Sequence, residues 1–79
     1  MVLIDRPLFW KHGRRFAHLI SDSSLDELHE VAQALGLSKG FHGNHYDVPE
    51  EMVPAVLARG ISQVDPREIV KRLRAAGLR

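Results

Sequence analysis

The sequence predicts a small single α/β domain over residues 1–79, with a three- to four-stranded sheet and about three helices. Two observations predict this fold class. Short apolar runs that are typical of strands alternate with longer segments of helical periodicity, in the order strand, strand, helix, strand, helix, strand, helix. The chain is also too short to build a second hydrophobic core. We therefore expect helices packed on one sheet, with right-handed crossovers wherever the joined strands are parallel.

The first two strands are predicted near the start of the chain. Residues 2–4 are apolar and are followed closely by Pro7, which suits a short buried strand. Residues 11–15 should form a basic loop, in which Gly13 permits a positive φ. Residues 16–21 should form the second strand. The residues expected on one face of that strand are Phe16, His18 and Ile20.

The first helix is predicted from its capping residues and its apolar stripe. Ser24 and Glu27 stand three residues apart, which is the spacing of a capping box at a helix start. The helix should continue to about residue 35 and end at Gly36, because glycine readily adopts the left-handed conformation that closes a helix. The apolar stripe consists of Leu25, Leu28, Ala32 and Leu35.

The second half of the chain should contribute two strands and two helices. A third strand is predicted over residues 45–48 and a fourth over residues 61–64. A helix between them should begin at Pro49, although Pro54 is expected to kink it or to delay its start. The last helix should begin with Asp65 as the N-cap, followed by Pro66 and Glu68, and end at Gly77. Its core face would be Ile69, Val70, Leu73 and Ala76.

Composition excludes several classes of protein. With 11 Lys+Arg against 10 Asp+Glu, the net charge of +1 would not steer the whole protein to nucleic acid or to a membrane. There is no cysteine, so a metal site would need imidazole and carboxylate ligands. Charges interrupt every early apolar run, so we expect no signal peptide or membrane span and a cytoplasmic location. A core this small gives little stability by itself, so a homodimer that buries more apolar surface stays open as the oligomeric state.

Histidines are concentrated in one part of the chain, since residues 12–29 contain three of the five. His18 has apolar neighbours on its strand face, and His29 lies at the edge of the helix stripe, so both are expected to face the same interior. His45 and Asp47 are two residues apart and would share a strand face. Buried imidazoles need hydrogen-bond partners. The candidates are Asp5, Asp22, Tyr46 and Asp47.

These side chains predict a polar pocket near the start of the first helix. Ligands collect beyond the carboxyl ends of strands, and free N–H groups at a helix start favour an anion. Two groups of residues are expected to meet in this pocket, and Arg14 should lie at its rim. The first group is His18, Asp22 and His29, and the second is His45, Tyr46 and Asp47. At least one residue of the first group should lie within hydrogen-bond reach of a residue of the second.

The first functional hypothesis is a metal-assisted or acid–base enzyme that acts on a phosphate ester, with a divalent ion such as zinc or manganese as cofactor. Arginine forks bind phosphate oxygens. The candidate metal ligands are His18, His29, His45 and Asp47, of which the three histidines are also the candidate catalytic residues. The candidate ligand-binding residues are Arg14, Arg15, Ser21, Asp22 and Tyr46. For each of these side chains, an ordinary role in the core or at a turn stays open.

Two alternatives of other classes stay open beside the enzyme. The first is a nucleic-acid-associated module that uses the basic last helix. The basic residues on one face of that helix are Arg67, Lys71 and Arg74, with Arg72 and Arg79 close by. The second is a structural or interaction protein without catalysis, whose polar residues only organise a small core. The sequence lacks a glycine-rich nucleotide loop, an HExxH zinc motif and a GxSxG elbow.

Several polar positions together resemble a known family. The segments that carry the resemblance are His12-Gly13-Arg14, Phe16, His18-Leu19, Ser21-Asp22, Glu27-Leu28-His29 and His45-Tyr46-Asp47. In order and spacing they are similar to the pattern of the bacterial and phage domain-of-unknown-function family 4031, across nearly the whole chain. The resemblance implies no activity, so it assigns no catalytic role to any residue.

Overall fold

The computed structural model describes residues 1–37 and 39–78. In this part of the chain, three α-helices and six strands form a small α/β structure, which confirms the predicted class and the number of helices. The strands are β1 (Val2–Ile4), β2 (Phe9–Lys11), β3 (Arg14–Ser21), β4 (Phe41–His42), β5 (His45–Pro49) and β6 (Ser62–Gln63). The helices are α1 (Leu25–Ala34), α2 (Val53–Ala58) and α3 (Pro66–Ala75).

The prediction of a three- to four-stranded sheet is wrong, because all six strands join one sheet in the order β4-β5-β3-β1-β6, with β2 also paired to β3. β1 and β6 are parallel, and the other pairs are antiparallel. The strands that the prediction lacked are β2 and β4. β2 lies partly in the expected basic loop, which instead makes a two-residue turn at His12 and Gly13, with φ of 52° and 73°. Turns of this kind join antiparallel strands directly.

β3 is the central strand and is long enough to pair on both of its edges. Phe16 pairs with Phe9 of β2 on one edge and with Pro49 of β5 on the other. Towards its end, the strand pairs with β1 on the same edge that β2 occupies. The eight residues of β3 therefore serve three neighbouring strands.

The two faces of the sheet are covered unequally. The larger core cluster joins Ala17 and Leu19 of β3 to α1 and α2. On the other face, Leu3 and Ile20 pack with Ile69 and Leu73 of α3. Because side chains of β3 alternate, His18 lies on the α3 face beside Ile20. The α3 helix is ten residues long and packs on Leu3 and Ile20 at the β1 end of that face, and His18 and Phe9 lie together outside this cluster.

The start of α1 confirms half of the predicted capping box. The Ser24 hydroxyl accepts a hydrogen bond from the Glu27 amide at 3.1 Å. The reciprocal half differs, since the Glu27 carboxylate accepts from the Ser21 hydroxyl at 2.6 Å, and the Ser24 amide donates to that same hydroxyl oxygen at 3.1 Å. In the usual capping box, the Glu27 carboxylate would accept directly from the Ser24 backbone amide. Here the hydroxyl of the buried Ser21 lies between the two groups and links them.

The two remaining helices also differ from the prediction in their bounds. Pro49 belongs to β5 and is followed by a 3-10 turn, Glu50–Met52, so α2 begins only at Val53. Pro54 is tolerated because it falls in the first turn of the helix, where its missing N–H has no partner to lose. The α3 helix begins as predicted, with the Asp65 carboxylate accepting from the Arg67 amide at 3.0 Å. Of the helices described, none combines the length and the apolar character that crossing a membrane requires.

Two substitutions in α1 should separate capping from packing. Ser24→Ala removes the cap and should lower the free energy of unfolding by about 1 kcal/mol. Leu28→Ala leaves a cavity under a fully buried side chain and should cost about 2–5 kcal/mol. Urea unfolding followed by circular dichroism measures both. The exposed Lys71→Ala is the control and should change little, and equal losses in all three variants would contradict the placement of α1.

Candidate metal centre

Three potential metal ligands share the α3 face of the sheet. His18 lies in the middle of β3, and His45 and Asp47 lie two residues apart on the antiparallel β5. The register places His18 directly opposite Asp47, so their side chains stand next to each other. One donor atom from each of the three residues lies within 4.8 Å of the others. The prediction that His45 and Asp47 share a face is confirmed.

Asp5 fixes the orientation of His18. Its side chain is only 1% exposed, and both of its oxygens contact His18. One oxygen accepts from the His18 backbone amide at 2.6 Å, and the other lies 2.9 Å from Nδ1 of the ring. A carboxylate can only accept, so Nδ1 carries a proton, and in the tautomer that this contact selects for the neutral ring the lone pair is on Nε2. This is the arrangement in which a carboxylate holds a metal-ligating histidine.

His45 has an oxygen near each of its ring nitrogens. Nδ1 lies 2.8 Å from the side-chain oxygen of Asn44, and Nε2 lies 3.1 Å from Oδ1 of Asp47. Burial lowers the pKa of His45, and the neighbouring His18 acts in the same direction, which favours the neutral ring. A neutral imidazole has one proton for these two oxygens. With the proton on Nδ1, the lone pair of Nε2 faces the Asp47 carboxylate.

Asp47 is held in its charged form. Burial by itself raises the pKa of this carboxyl, but the hydrogen bond from Lys11 and the positive charge of Lys11 outweigh it, so the net pKa lies below the usual value. Lys11 donates from Nζ to Oδ2 at 2.9 Å, and His42 Nε2 lies 3.0 Å from the same oxygen. The other carboxylate oxygen, Oδ1, points to His45.

The three residues fit the requirements of a divalent transition metal. Metal ligands must be deprotonated, and the structure favours a neutral His45 beside an ionised Asp47. Two ligands bound to zinc at tetrahedral angles lie about 3.3 Å apart, and the separation of His45 Nε2 from Asp47 Oδ1 is 3.1 Å. The widest separation among the three donor atoms, which all lie within 4.8 Å of one another, would have to shorten for all three to bind one ion. Three protein ligands would leave a coordination position for water or substrate.

Aromatic rings border the candidate metal ligands. Phe9 lies against His18 with a ring-centroid distance of 4.1 Å, and the His18 and His45 rings meet edge to face at 4.8 Å. A cleft of about 270 Å³ lies over the three candidate ligands and is also lined by Trp10 and Phe16. A ligand that enters from solvent can therefore reach the donors along this face.

The prediction that His18 and His29 face the same interior is wrong. His29 lies on α1, across the sheet from His18, because the residues of β3 that face α1 are Ala17 and Leu19. Its Nδ1 lies 2.6 Å from the Tyr46 hydroxyl, and Tyr46 is buried on that same α1 face. His29 and Tyr46 thus come within the expected hydrogen-bond reach, but they form a separate pair and cannot join His18 in one metal site.

The residues predicted to hold a phosphate do not surround the three candidate ligands. Arg14 pairs with Glu51, and the Arg15 guanidinium carbon lies 4.9 Å from the centroid of the exposed Trp10 ring. Both arginines are close to the hairpin turn, but the ammonium group beside Asp47 belongs to Lys11.

The two candidates at the start of α1 have partners of their own. Ser21 is buried and accepts from the Ser23 and Ser24 amides. Asp22 accepts from Arg72 at 3.0 Å and from the Met1 amino group at 2.9 Å. These contacts order the start of α1 and do not reach His18 or His45, so the predicted pocket at the helix start is not where the histidines gather.

Sequence reasoning missed two residues at the candidate metal centre, Lys11 and His42. Asp5 had been named as a candidate partner for a buried imidazole, and the structure confirms it as the partner of His18. Lys11 is the last residue of β2, and His42 is the last residue of β4. A two-residue turn after each of them returns the chain along a longer strand, β3 or β5, and this pairing brings both side chains to Asp47. Glycine in a two-residue turn, Gly13 or Gly43, is the signal that could have indicated both hairpins.

Gly40 allows the loop after α1 to approach β5 closely. Its carbonyl accepts from the Asp47 amide at 2.9 Å, and a Cβ added to Gly40 would lie 2.8 Å from the Asp47 carbonyl oxygen. Real side chains essentially never come so near a backbone oxygen. The absence of a side chain at position 40 therefore lets the loop support the backbone of one candidate metal ligand.

Comparison with known proteins identifies a family for this chain. A family model described as "Protein of unknown function (DUF4031)" matches residues 2–76, nearly the whole chain, which confirms the resemblance seen in the sequence. No significant match was found among curated proteins or among solved structures.

Gly40→Ala should disturb β5. The added methyl group must displace backbone, so we expect a loss of about 1–3 kcal/mol in the free energy of unfolding and altered amide chemical shifts for residues 45–48. Gly36→Ala is the matched control, because its φ of +73° strains an alanine but nothing lies within 4 Å of the added carbon. That variant should lose stability without changing the shifts of β5. Unchanged β5 shifts in Gly40→Ala would contradict the close approach.

Proposed function

The chain belongs to the DUF4031 family of proteins of unknown function, and from the geometry of the site we propose that it binds a divalent transition metal ion through His18, His45 and Asp47. The observation that carries the proposal is the placement of two imidazoles and one carboxylate with donor atoms within 4.8 Å of one another. The register of β3 and β5 supports it, because it makes these residues neighbours.

The donor set favours zinc over the alkaline-earth ions. Imidazole nitrogen suits zinc, copper, iron and nickel, whereas calcium and magnesium prefer sites made of oxygen. Two histidines and one carboxylate with an open position is an arrangement that catalytic zinc sites use. Asp5 would act from behind His18 by fixing its tautomer and raising the basicity of its free nitrogen. Manganese would bind the same residues more weakly.

We further propose that the metal supports hydrolysis of a phosphate ester. Zinc lowers the pKa of a bound water to about 7, which supplies hydroxide at neutral pH. The hydroxide would attack phosphorus, the bond from phosphorus to the leaving alcohol would break, and the alcohol oxygen would take a proton from water. Lys11 lies beside Asp47 and would stabilise the negative charge that develops on the phosphoryl oxygens.

The two alternative functions have less support in the structure. In the basic helix α3, Arg72 is paired with Glu68 at 2.9 Å and with Asp22 at 3.0 Å, which reduces the net positive charge that this helix presents to a nucleic acid. Arg67, Lys71 and Arg74 are exposed, and Arg79 lies outside the described residues. In a structural or interaction protein, His18, His45 and Asp47 would serve only the fold and would bind no metal, so a metal titration separates this alternative from the metal centre.

Metal titration tests the binding site. Calorimetry with zinc, and visible absorption with cobalt as a probe of tetrahedral coordination, should show one saturable site per chain. His18→Ala and His45→Ala should each weaken binding at least tenfold, because each removes a ligand. His29→Ala is the matched control, since it removes a histidine from the opposite face of the sheet. Equal affinity in all four proteins, each shown to be folded by circular dichroism, would refute the proposal.

Asp5→Asn tests the support of His18. The substitution keeps the size of the side chain but removes the charge that fixes the histidine tautomer, so zinc affinity should fall about 10- to 100-fold. The cobalt spectrum should still show the same ligand geometry, because the three ligands remain. An affinity equal to that of the unchanged protein would mean that Asp5 serves only the fold.

Hydrolysis of p-nitrophenyl phosphate by the zinc-loaded protein tests the catalytic part of the proposal. Release of nitrophenolate should depend on zinc and disappear in His45→Ala. Zinc binding without any turnover would leave a metal-binding protein without catalysis and would overturn the phosphoester proposal.

A further inference from the structure

A second cleft opens at the edge of β5, next to the candidate metal ligands. It has a volume of about 520 Å³, and it runs from the β2–β3 turn to the loop that follows α1. Volumes of this size are typical of sites for small organic ligands. We refer to it as the basic cleft, because four of the residues that line it are Lys11, His12, Lys39 and His42.

The charges around the basic cleft favour an anion. Among the described residues that line the cleft, Asp47 is the one carboxylate, and it already pairs with Lys11 at 2.9 Å. Lys39 is exposed, and within residues 1–37 and 39–78 it forms no ion pair with a carboxylate. Two lysines can place their ammonium groups on different oxygens of one dianion, as lysines do in phosphate sites. A phosphate monoester therefore matches the charge of the cleft better than a carboxylate.

The remaining wall of the basic cleft is apolar. Side chains there present hydrocarbon and aromatic surface to a ligand, and Phe16 and Met52 are half-buried rather than fully covered. The apolar residues that line the cleft are Phe16, Leu37, Pro49 and Met52. A fully hydrated inorganic ion would leave this surface unused, whereas an aromatic or apolar group attached to the phosphate would cover it.

Asp47 connects the basic cleft to the candidate metal ligands. It lines the cleft, and its two oxygens face in different directions, Oδ2 towards Lys11 and Oδ1 towards His45. An anion held by Lys11 would therefore lie beside a metal bound to His45 and Asp47. This geometry is what a metal centre needs in order to act on a phosphate group rather than only to bind an ion.

We infer that the basic cleft binds an organic phosphate monoester, with the phosphate at Lys11 and Lys39 and an aromatic or apolar group against Phe16 and Met52. The inference names the ligand class of the centre proposed above and rests on that proposal for the role of the metal. Binding of the phosphate to the cleft itself does not require the metal. The two proposals can therefore fail independently.

Titrations of the metal-free protein, followed by amide chemical shifts, test the inference with three probes: inorganic phosphate, phenyl phosphate and benzoate. Phenyl phosphate should bind more tightly than either of the other two, with shifts in residues 36, 37, 39–42, 47, 48 and 50–52. Lys39→Ala should weaken phenyl phosphate binding about threefold to tenfold. Lys39→Arg should restore most of the affinity, because it keeps the charge.

The matched control is Lys71→Ala, which removes an exposed lysine of α3 that does not line the cleft. Equal phenyl phosphate affinity in the Lys39→Ala and Lys71→Ala proteins would overturn the inference. Two results would overturn the assignment of an apolar group to Phe16 and Met52. The first is phenyl phosphate that binds no more tightly than inorganic phosphate, and the second is an unchanged preference for phenyl phosphate over inorganic phosphate in the Met52→Ser protein. Zinc binding measured on the same Lys39→Ala protein should be unchanged. If the protein without substitutions binds no zinc, this result counts against the metal centre and not against the cleft.

Discussion

The antiparallel pairing of β3 with β5 is the constraint on which the rest of the structure depends. Its register places Ala17 opposite Val48 in the core and His18 opposite Asp47 on the other face. A shift of one residue would exchange the faces of every side chain on one strand, burying charge and exposing core. The hydrophobic effect that fixes the core therefore also fixes the distance between the candidate metal ligands.

The contact between the buried Asp5 and the half-buried His18 shows what the site costs the fold. A carboxylate removed from water is unfavourable unless hydrogen bonds compensate, and both oxygens of Asp5 are used on His18. A hydrophobic residue at position 5 would extend the α3 core without this requirement. The geometry instead orients one imidazole towards the part of the sheet that α3 leaves uncovered, which is consistent with a binding role for that face.

Much of the fold could be predicted from local signals, and the errors have physical causes. Capping residues identified the start of α1 and of α3, and four of the strands lie where apolar runs predicted them. The strands β2 and β4 have only two or three residues each, which is too few to show a hydrophobic alternation, whereas the equally short β6 is flanked by the apolar Ile61 and Val64. They form because short turns at Gly13 and Gly43 return the chain along a longer strand.

By itself, the sequence determined which chemistry is available, since it has no thiol and offers imidazole and carboxylate groups. It also determined that His45 and Asp47 share a face, because side chains two residues apart on a strand point to the same side. Tertiary structure decided which histidines meet. His18 and His29 both lie at the edge of apolar patterns, but helix α1 packs on one face of the sheet and His18 points to the other. No local pattern encodes the face on which a helix will pack, because that choice depends on which arrangement of all the elements buries the most apolar surface.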